Sequence, residues 1–181
     1  YNTAATASCK NFLSSSELSG LTLTPGVYCS SSGSFTIAKL GLVTLDALNA
    51  TNAVWVFQMT SSLTTGDFSS IILRNKALSE HVFWVVGSSA SIGYDAFLIG
   101  NIIAYTSISD SSYAAIDGRG LSFADVSFSG YTSGGLPNGT SAVVIPKLRI
   151  SLGACDVFAV QATDSVLFSN ALSIIEVGSV G

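Results

Sequence analysis

Few side chains in this sequence can do acid–base, nucleophilic or metal chemistry: one histidine, three cysteines and eleven carboxylates in 181 residues. His81 opens an apolar, strand-like run with no recognisable Ser or Cys nucleophile, so it reads as structural. Asp117-Gly118-Arg119 could imitate a sugar-lyase site, but one Asp is too few for a two-carboxylate mechanism. Cys9, Cys29 and Cys155 lack metal-ligand spacing, and a lone histidine does not complete a site. The chain therefore reads as a non-enzyme that takes no metal and no cofactor. What recurs instead is the hydroxyl group. Ser61-Ser62-Leu63-Thr64-Thr65-Gly66, Ser88-Ser89-Ala90-Ser91-Ile92-Gly93 and Thr106-Ser107-Ile108-Ser109 alternate small hydroxylated residues with apolar ones, as a strand does with one wet and one buried face.

The spacing of these clusters says which elements must hold them. Ser62, Ser89 and Ser107 recur at intervals of 27 and 18, the next 18 reaches Asp125-Val126-Ser127, and 28 back from Ser62 lies Ser34-Phe35-Thr36. A recurrence near 18 with extra residues parked at corners predicts an all-β, irregular β-solenoid whose coils each bring one strand to the same flat face. Ala53-Val54-Trp55-Val56-Phe57 and Val82-Phe83-Trp84-Val85-Val86 have no polar alternate positions and predict a second face, apolar on both sides and covered on both. A neighbouring chain, or the short stretch around Phe12-Leu13, would supply that cover. Ser69 to Leu73 gives a third strand per coil. The surplus residues fall at one corner in successive coils, as Asp46 to Asn52 and Arg74 to Glu80.

The whole chain, 1–181, reads as one solenoid domain. Residues 1–20 are expected to be the remnant of a helix or a cap, 21–128 the coils, 129–142 a Gly/Ser/Thr/Pro-rich loop, and 143–181 further strands. The composition is 48% hydrophobic and 10% charged, which argues against disorder. Seven scattered Lys and Arg and a net charge of -4 form no basic patch for nucleic acid. The longest apolar runs, such as Ala96 to Ala104, are too short to span a bilayer.

Cys9 and Cys29 flank a loop with a Pro25-Gly26 turn, and a disulfide between them is reasonable in an oxidising compartment. Cys155 is either a buried thiol or the partner of a cysteine outside this chain. No leader peptide is read here, as in a cytosolic or a processed chain. The sequons at Asn49 and Asn138 lean towards secretion and possible glycosylation.

Several motifs, in order, resemble the microbial ice-binding (antifreeze) protein family. They are Gly20-Leu21-Thr22-Leu23-Thr24-Pro25-Gly26-Val27-Tyr28, Thr44-Leu45-Asp46-Ala47, Asn52 to Gln58, Ser61 to Thr65, Val82 to Ala90, Gly100 to Ala104, Thr106-Ser107-Ile108 and Gly118-Arg119. The resemblance implies a secreted β-solenoid of triangular section with a long helix along one face and a flat ice-binding face, and it assigns Gly118-Arg119 to a turn. Relative to the family pattern the order here is circularly shifted. The stretch from Ser151 to Gly181 resembles a family domain's beginning, and most of the helix is missing. This order reads as a segment of a tandem array, or a chain whose true ends lie elsewhere.

Taken alone, Ser and Thr on these rungs are solvated strand residues. With the resemblance, Ser34, Thr36, Ser62, Thr64, Ser89, Ser91, Ser107, Ser109 and Ser127 become the expected ice-binding residues, with Asp125 at the margin and Phe35, Leu63, Ala90 and Ile108 pointing inward. The alternative is a structural or adhesive module whose ends stack on neighbouring copies into a filament or surface layer. Carbohydrate binding would need aromatic platforms, and the rungs carry almost none.

Overall fold

The computed structural model describes residue 9, residues 11–128 and four later strand segments, 142–144, 160–161, 165–168 and 174–176. Its chain is wound in coils of three short strands. An incomplete first coil holds β1 (Asn11–Leu13), a single bridge from Glu17 to Thr36, and β2 (Thr22–Leu23). The next coils are β3 (Gly26–Ser30), β4 (Phe35–Ile37), β5 (Leu42–Asp46), then β6 (Trp55–Met59), β7 (Leu63–Thr65), β8 (Ser70–Arg74). They are followed by β9 (Val82–Val86), β10 (Ala90–Ile92), β11 (Phe97–Ile99), then β12 (Asn101–Ala104), β13 (Ser107–Asp110), β14 (Ala115–Asp117). Two more follow: β15 (Gly120–Ser122), β16 (Asp125–Phe128), β17 (Ala142–Val144), and finally β18 (Val160–Gln161), β19 (Ser165–Phe168), β20 (Ile174–Glu176).

Like strands of successive coils pair in parallel, so the coils stack into three sheets, the sides of a triangular β-solenoid. The first sheet runs β1-β3-β6-β9-β12-β15-β18, the second β4-β7-β10-β13-β16-β19 and the third β2-β5-β8-β11-β14-β17-β20. The pairings of Phe35 with Leu63, Leu63 with Ala90, Ala90 with Ile108 and Ile108 with Val126 reproduce the 28, 27, 18 and 18 spacing of the hydroxyl clusters. The surplus residues do share one corner, between the third and first sheets. There Ala47 N–H donates to the Arg74 carbonyl at 3.2 Å, and the Asn75 side-chain amide to Asp46 Oδ1 at 2.8 Å.

Alternation decides the core. Phe35, Leu63, Ala90, Ile108 and Val126 of the second sheet are fully buried. Trp55, Phe57 and Trp84 of the first sheet enter the same interior, with Phe57 stacked on Trp84 at 4.1 Å and edge-on to Phe35 at 6.0 Å. Both indole N–H groups are satisfied, Trp55 by the Leu23 carbonyl at 3.1 Å and Trp84 by the Ile99 carbonyl at 2.8 Å.

Two expectations are corrected here. The tryptophans need no partner chain, because both lie on the inner side, while Val56 and Phe83 take the outer one. An unbroken apolar run does not reveal its own phase. Phe12, proposed as a cover, is instead 69% exposed in the first strand of that same sheet, paired with Cys29. Residues 11–20 are strand, bridge and turns, held by that pairing and by the disulfide from Cys9 to Cys29, while residues 1–8, on which the expected helix remnant falls in part, lie outside the described residues. The one helical element among the described residues is a 3-10 turn, Ser79–His81.

Candidate functional site

Every hydroxyl named from the sequence lies on the outer side of the second sheet. Ser34, Ser62, Ser89, Ser107 and Asp125 form one column, and Thr36, Thr64, Ser91, Ser109 and Ser127 the next, with the buried apolar residues between them. Strands about 4.8 Å apart and alternate residues about 7 Å apart make this a two-dimensional lattice fixed by main-chain bonds. Thr64 and Ser91 are exposed at its centre, and the other named hydroxyls are partly exposed. In the first column the side chains also bond along the stack: Ser34 and Ser62 share a hydrogen bond at 3.2 Å, and the Ser107 hydroxyl donates to Ser89 at 3.0 Å.

The structure adds residues that the sequence pattern placed in the hydroxyl clusters without assigning them to the face, and one that it did not mark at all. Ser61, Ser88 and Thr106, at the corner before each rung, stack through main-chain bonds from Ser88 N–H to the Ser61 carbonyl and from Thr106 N–H to the Ser88 carbonyl, both 2.9 Å. They extend the lattice by a column at one edge. Glu17 closes the lower end. Its carboxylate accepts from Ser19 N–H at 2.8 Å, Ala38 N–H at 3.0 Å and the Thr36 hydroxyl at 3.0 Å. Partial burial pushes the Glu17 carboxyl up, but these bonds together outweigh it and hold it below the usual range. No repeat marks Glu17, because its coil contributes a bridge rather than a strand. Towards the upper end the column passes Asp125, which is exposed, and it does not stop there: the sheet adds one more strand, with Asp125 opposite Ser165 and Ser127 opposite Leu167 in β19.

The residues weighed for other chemistry lie elsewhere. His81 ends the 3-10 turn before β9, at the corner opposite the hydroxyl sheet. Asp117 sits at that corner too. Burial lifts its carboxyl above the usual range, against a hydrogen bond from Ser79, and the Glu80 charge adds to the rise. Gly118-Arg119 forms the bend between β14 and β15, stacked so closely on the preceding coil that a Cβ on Gly118 would fall on the Gly100 carbonyl. Among the described residues no group of three or more His, Cys, Asp or Glu could hold a metal. No described helix is long and apolar enough to cross a membrane. Asn49 is exposed on the corner at φ 65°. Asn138 and Cys155 lie outside the described residues.

Comparison with known proteins agrees with the geometry. A family model described as Ice-binding-like matches residues 1–133. The chain belongs to this family. An ice-binding protein of Nostoc sp. (strain HG1) is 45% identical over 123 residues, 67% of this chain and 44% of that protein. A Colwellia sp. ice-binding protein is 31% identical over 59% of this chain and 40% of its own length. Among solved structures, the ice-binding protein of the Antarctic ascomycete Antarctomyces psychrotrophicus superposes with a TM-score of 0.61 at 29% identity, over 80% of this chain and 62% of that one. An ice-binding protein from an Antarctic biological consortium gives 0.63 at 33%, over 80% and 58%. The Ice-binding-like chain described here thus spans under half the length of these two sequence relatives and about three-fifths of these structural ones.

Proposed function

We propose that this protein binds ice through the outer side of its second sheet, a non-catalytic function in which Thr64 and Ser91 sit centrally and Ser34, Thr36, Ser62, Ser89, Ser107, Ser109 and Ser127 around them. The observation that carries the reading is the register: from β4 to β16 two columns of short hydroxyl side chains repeat over five rungs, broken within them by Asp125 alone, before β19 brings Leu167 into the second column. Ice is a repeating surface, and a grid already fixed by the sheet can match it with little further loss of side-chain entropy. The names of the relatives support the same ligand. The Cys9–Cys29 disulfide supports secretion, since such bonds persist in oxidising compartments.

The test is thermal hysteresis and ice-crystal shape with Thr64→Tyr and Ser91→Tyr. Both side chains point to solvent, so the fold stays intact while the ring lifts the face off a flat crystal. Hysteresis is expected to fall sharply in each. Unchanged hysteresis and crystal habit in both would move the site elsewhere.

A second reading, a module stacking in a tandem array or filament, is supported by the sheet ends. The last strands, β18, β19 and β20, each pair on one side only among the described residues, leaving edges a neighbouring copy could extend. Filaments seen by electron microscopy, with no hysteresis in the parent, would favour it.

A further inference from the structure

We propose that the corner between the second and third sheets carries a separate binding site, a rail of aromatic rings for a single uncharged polysaccharide chain. Four successive coils turn that corner through a non-glycine residue of positive φ: Leu40 at 60°, Phe68 at 57°, Asp95 at 51° and Tyr113 at 68°. Main-chain bonds from Leu40 to Asp67, Phe68 to Tyr94 and Asp95 to Ser112 stack these turns directly above one another. Bulky residues seldom occupy this left-handed region, which Gly or Asn enters at less cost. Two of the four turns nonetheless hold aromatic rings, and Tyr94 places a third between them. Phe68 and Tyr94 meet edge to face at 5.4 Å, Tyr94 and Tyr113 at 5.1 Å with planes tilted by 52°.

Phe68 is 43% and Tyr94 39% exposed and Tyr113 is half-buried, and none of the three is part of the core cluster. Lys39 Nζ lies 5.8 Å over the Phe68 ring and 3.8 Å from the Asp67 carboxylate, so the rail is bordered by hydrogen-bonding groups.

The ligand class follows from this chemistry. A sugar ring presents C–H groups on its faces, which pack on electron-rich aromatic faces, and hydroxyls on its rim, which suit the Tyr94 hydroxyl, the Lys39 ammonium and the Asp67 carboxylate. One ring per coil, at about 4.8 Å per coil, approximates one sugar residue along a linear chain. Because the three ring planes turn relative to one another, a twisting single chain can touch all of them, whereas the flat surface of a crystalline polymer cannot. Asp67 and Asp95 flank the rail, and the chain's net charge is -4, so an anionic glycan is repelled. The rail lies beside the hydroxyl lattice, not on it, and the two sites operate independently.

The experiment is native affinity electrophoresis of the whole chain at 4 °C in gels containing hydroxyethylcellulose, mixed-linkage β-glucan or galactomannan, with alginate and crystalline cellulose as contrasts. At least one neutral soluble glycan is expected to retard the protein, with neither contrast binding it. Phe68→Leu with Tyr94→Leu keeps apolar bulk, and Leu40 already occupies the equivalent left-handed turn. This variant is expected to weaken retardation about tenfold or more with thermal hysteresis unchanged. No retardation of the parent by any neutral glycan, binding of alginate alone, or equal retardation of the leucine variant would each overturn the proposal.

Discussion

Removing the Cys9–Cys29 disulfide separates stability from surface recognition in this protein. The bond joins cysteines 20 residues apart, with Cys29 in β3 of the first sheet, away from the hydroxyl lattice. In the chain-entropy model, closing a loop of about 20 residues stabilises the fold by about 3 kcal/mol. For a domain of this size each kcal/mol moves the melting temperature by about 2–4 °C, so the Cys9→Ala, Cys29→Ala variant is expected to melt about 6–12 °C lower. Domains ordinarily hold about 5–15 kcal/mol, which leaves the variant folded near 0 °C. Scanning calorimetry reads the first effect and thermal hysteresis the second, with hysteresis expected to match the parent. A melting shift below about 2 °C would refute the loop-entropy argument. Lost hysteresis in a variant that still melts cooperatively would show that the lattice depends on the first sheet's edge.

Glu17 and the buried indoles give further predictions. Because the Glu17 carboxyl is held below its ordinary value of 4.5 in the fold, its contribution is present above that value and is lost as pH falls through the folded one. Urea titrations between pH 6 and 3 should therefore show a loss that Glu17→Gln lacks, and identical pH profiles would contradict it. Trp84→Phe deprives the buried Ile99 carbonyl of its donor and shrinks the stack on Phe57. It should cost about 2–4 kcal/mol in urea unfolding, and a cost under about 1 kcal/mol would mean that the indole bond matters little.

The second sheet was legible from sequence because its signal is doubly redundant. Alternation fixed which side of each rung is wet, and the interval between clusters fixed which rungs stack, so Phe35, Leu63, Ala90 and Ile108 could be assigned to the interior before any coordinates. The first sheet offered only one of these cues. In Val54 to Phe57 and Val82 to Val86 both sides are apolar, and nothing local says that Trp55 and Trp84 face in. The aromatic corner was invisible for another reason: Phe68, Tyr94 and Tyr113 occupy turn positions, where periodicity carries no information, and Tyr94 is one residue out of phase with the other two. Glu17 escaped notice because a one-residue bridge leaves no repeat to count.

The corner between the third and first sheets, where Asp46–Asn52 and Arg74–Glu80 sit, lies across the triangle from the hydroxyl sheet. Coil lengths of 28, 27, 18 and 18 residues therefore coexist with an unbroken register on the opposite side. A coil can gain or lose most of a dozen residues there while the lattice spacing stays put, because the rung is clamped by its neighbours and not by the length of its own circuit. This architecture lets natural variation, or a designer's graft at Asn49, Ala50 or Lys76, rewrite one vertex of the prism without disturbing the periodicity of the side facing it.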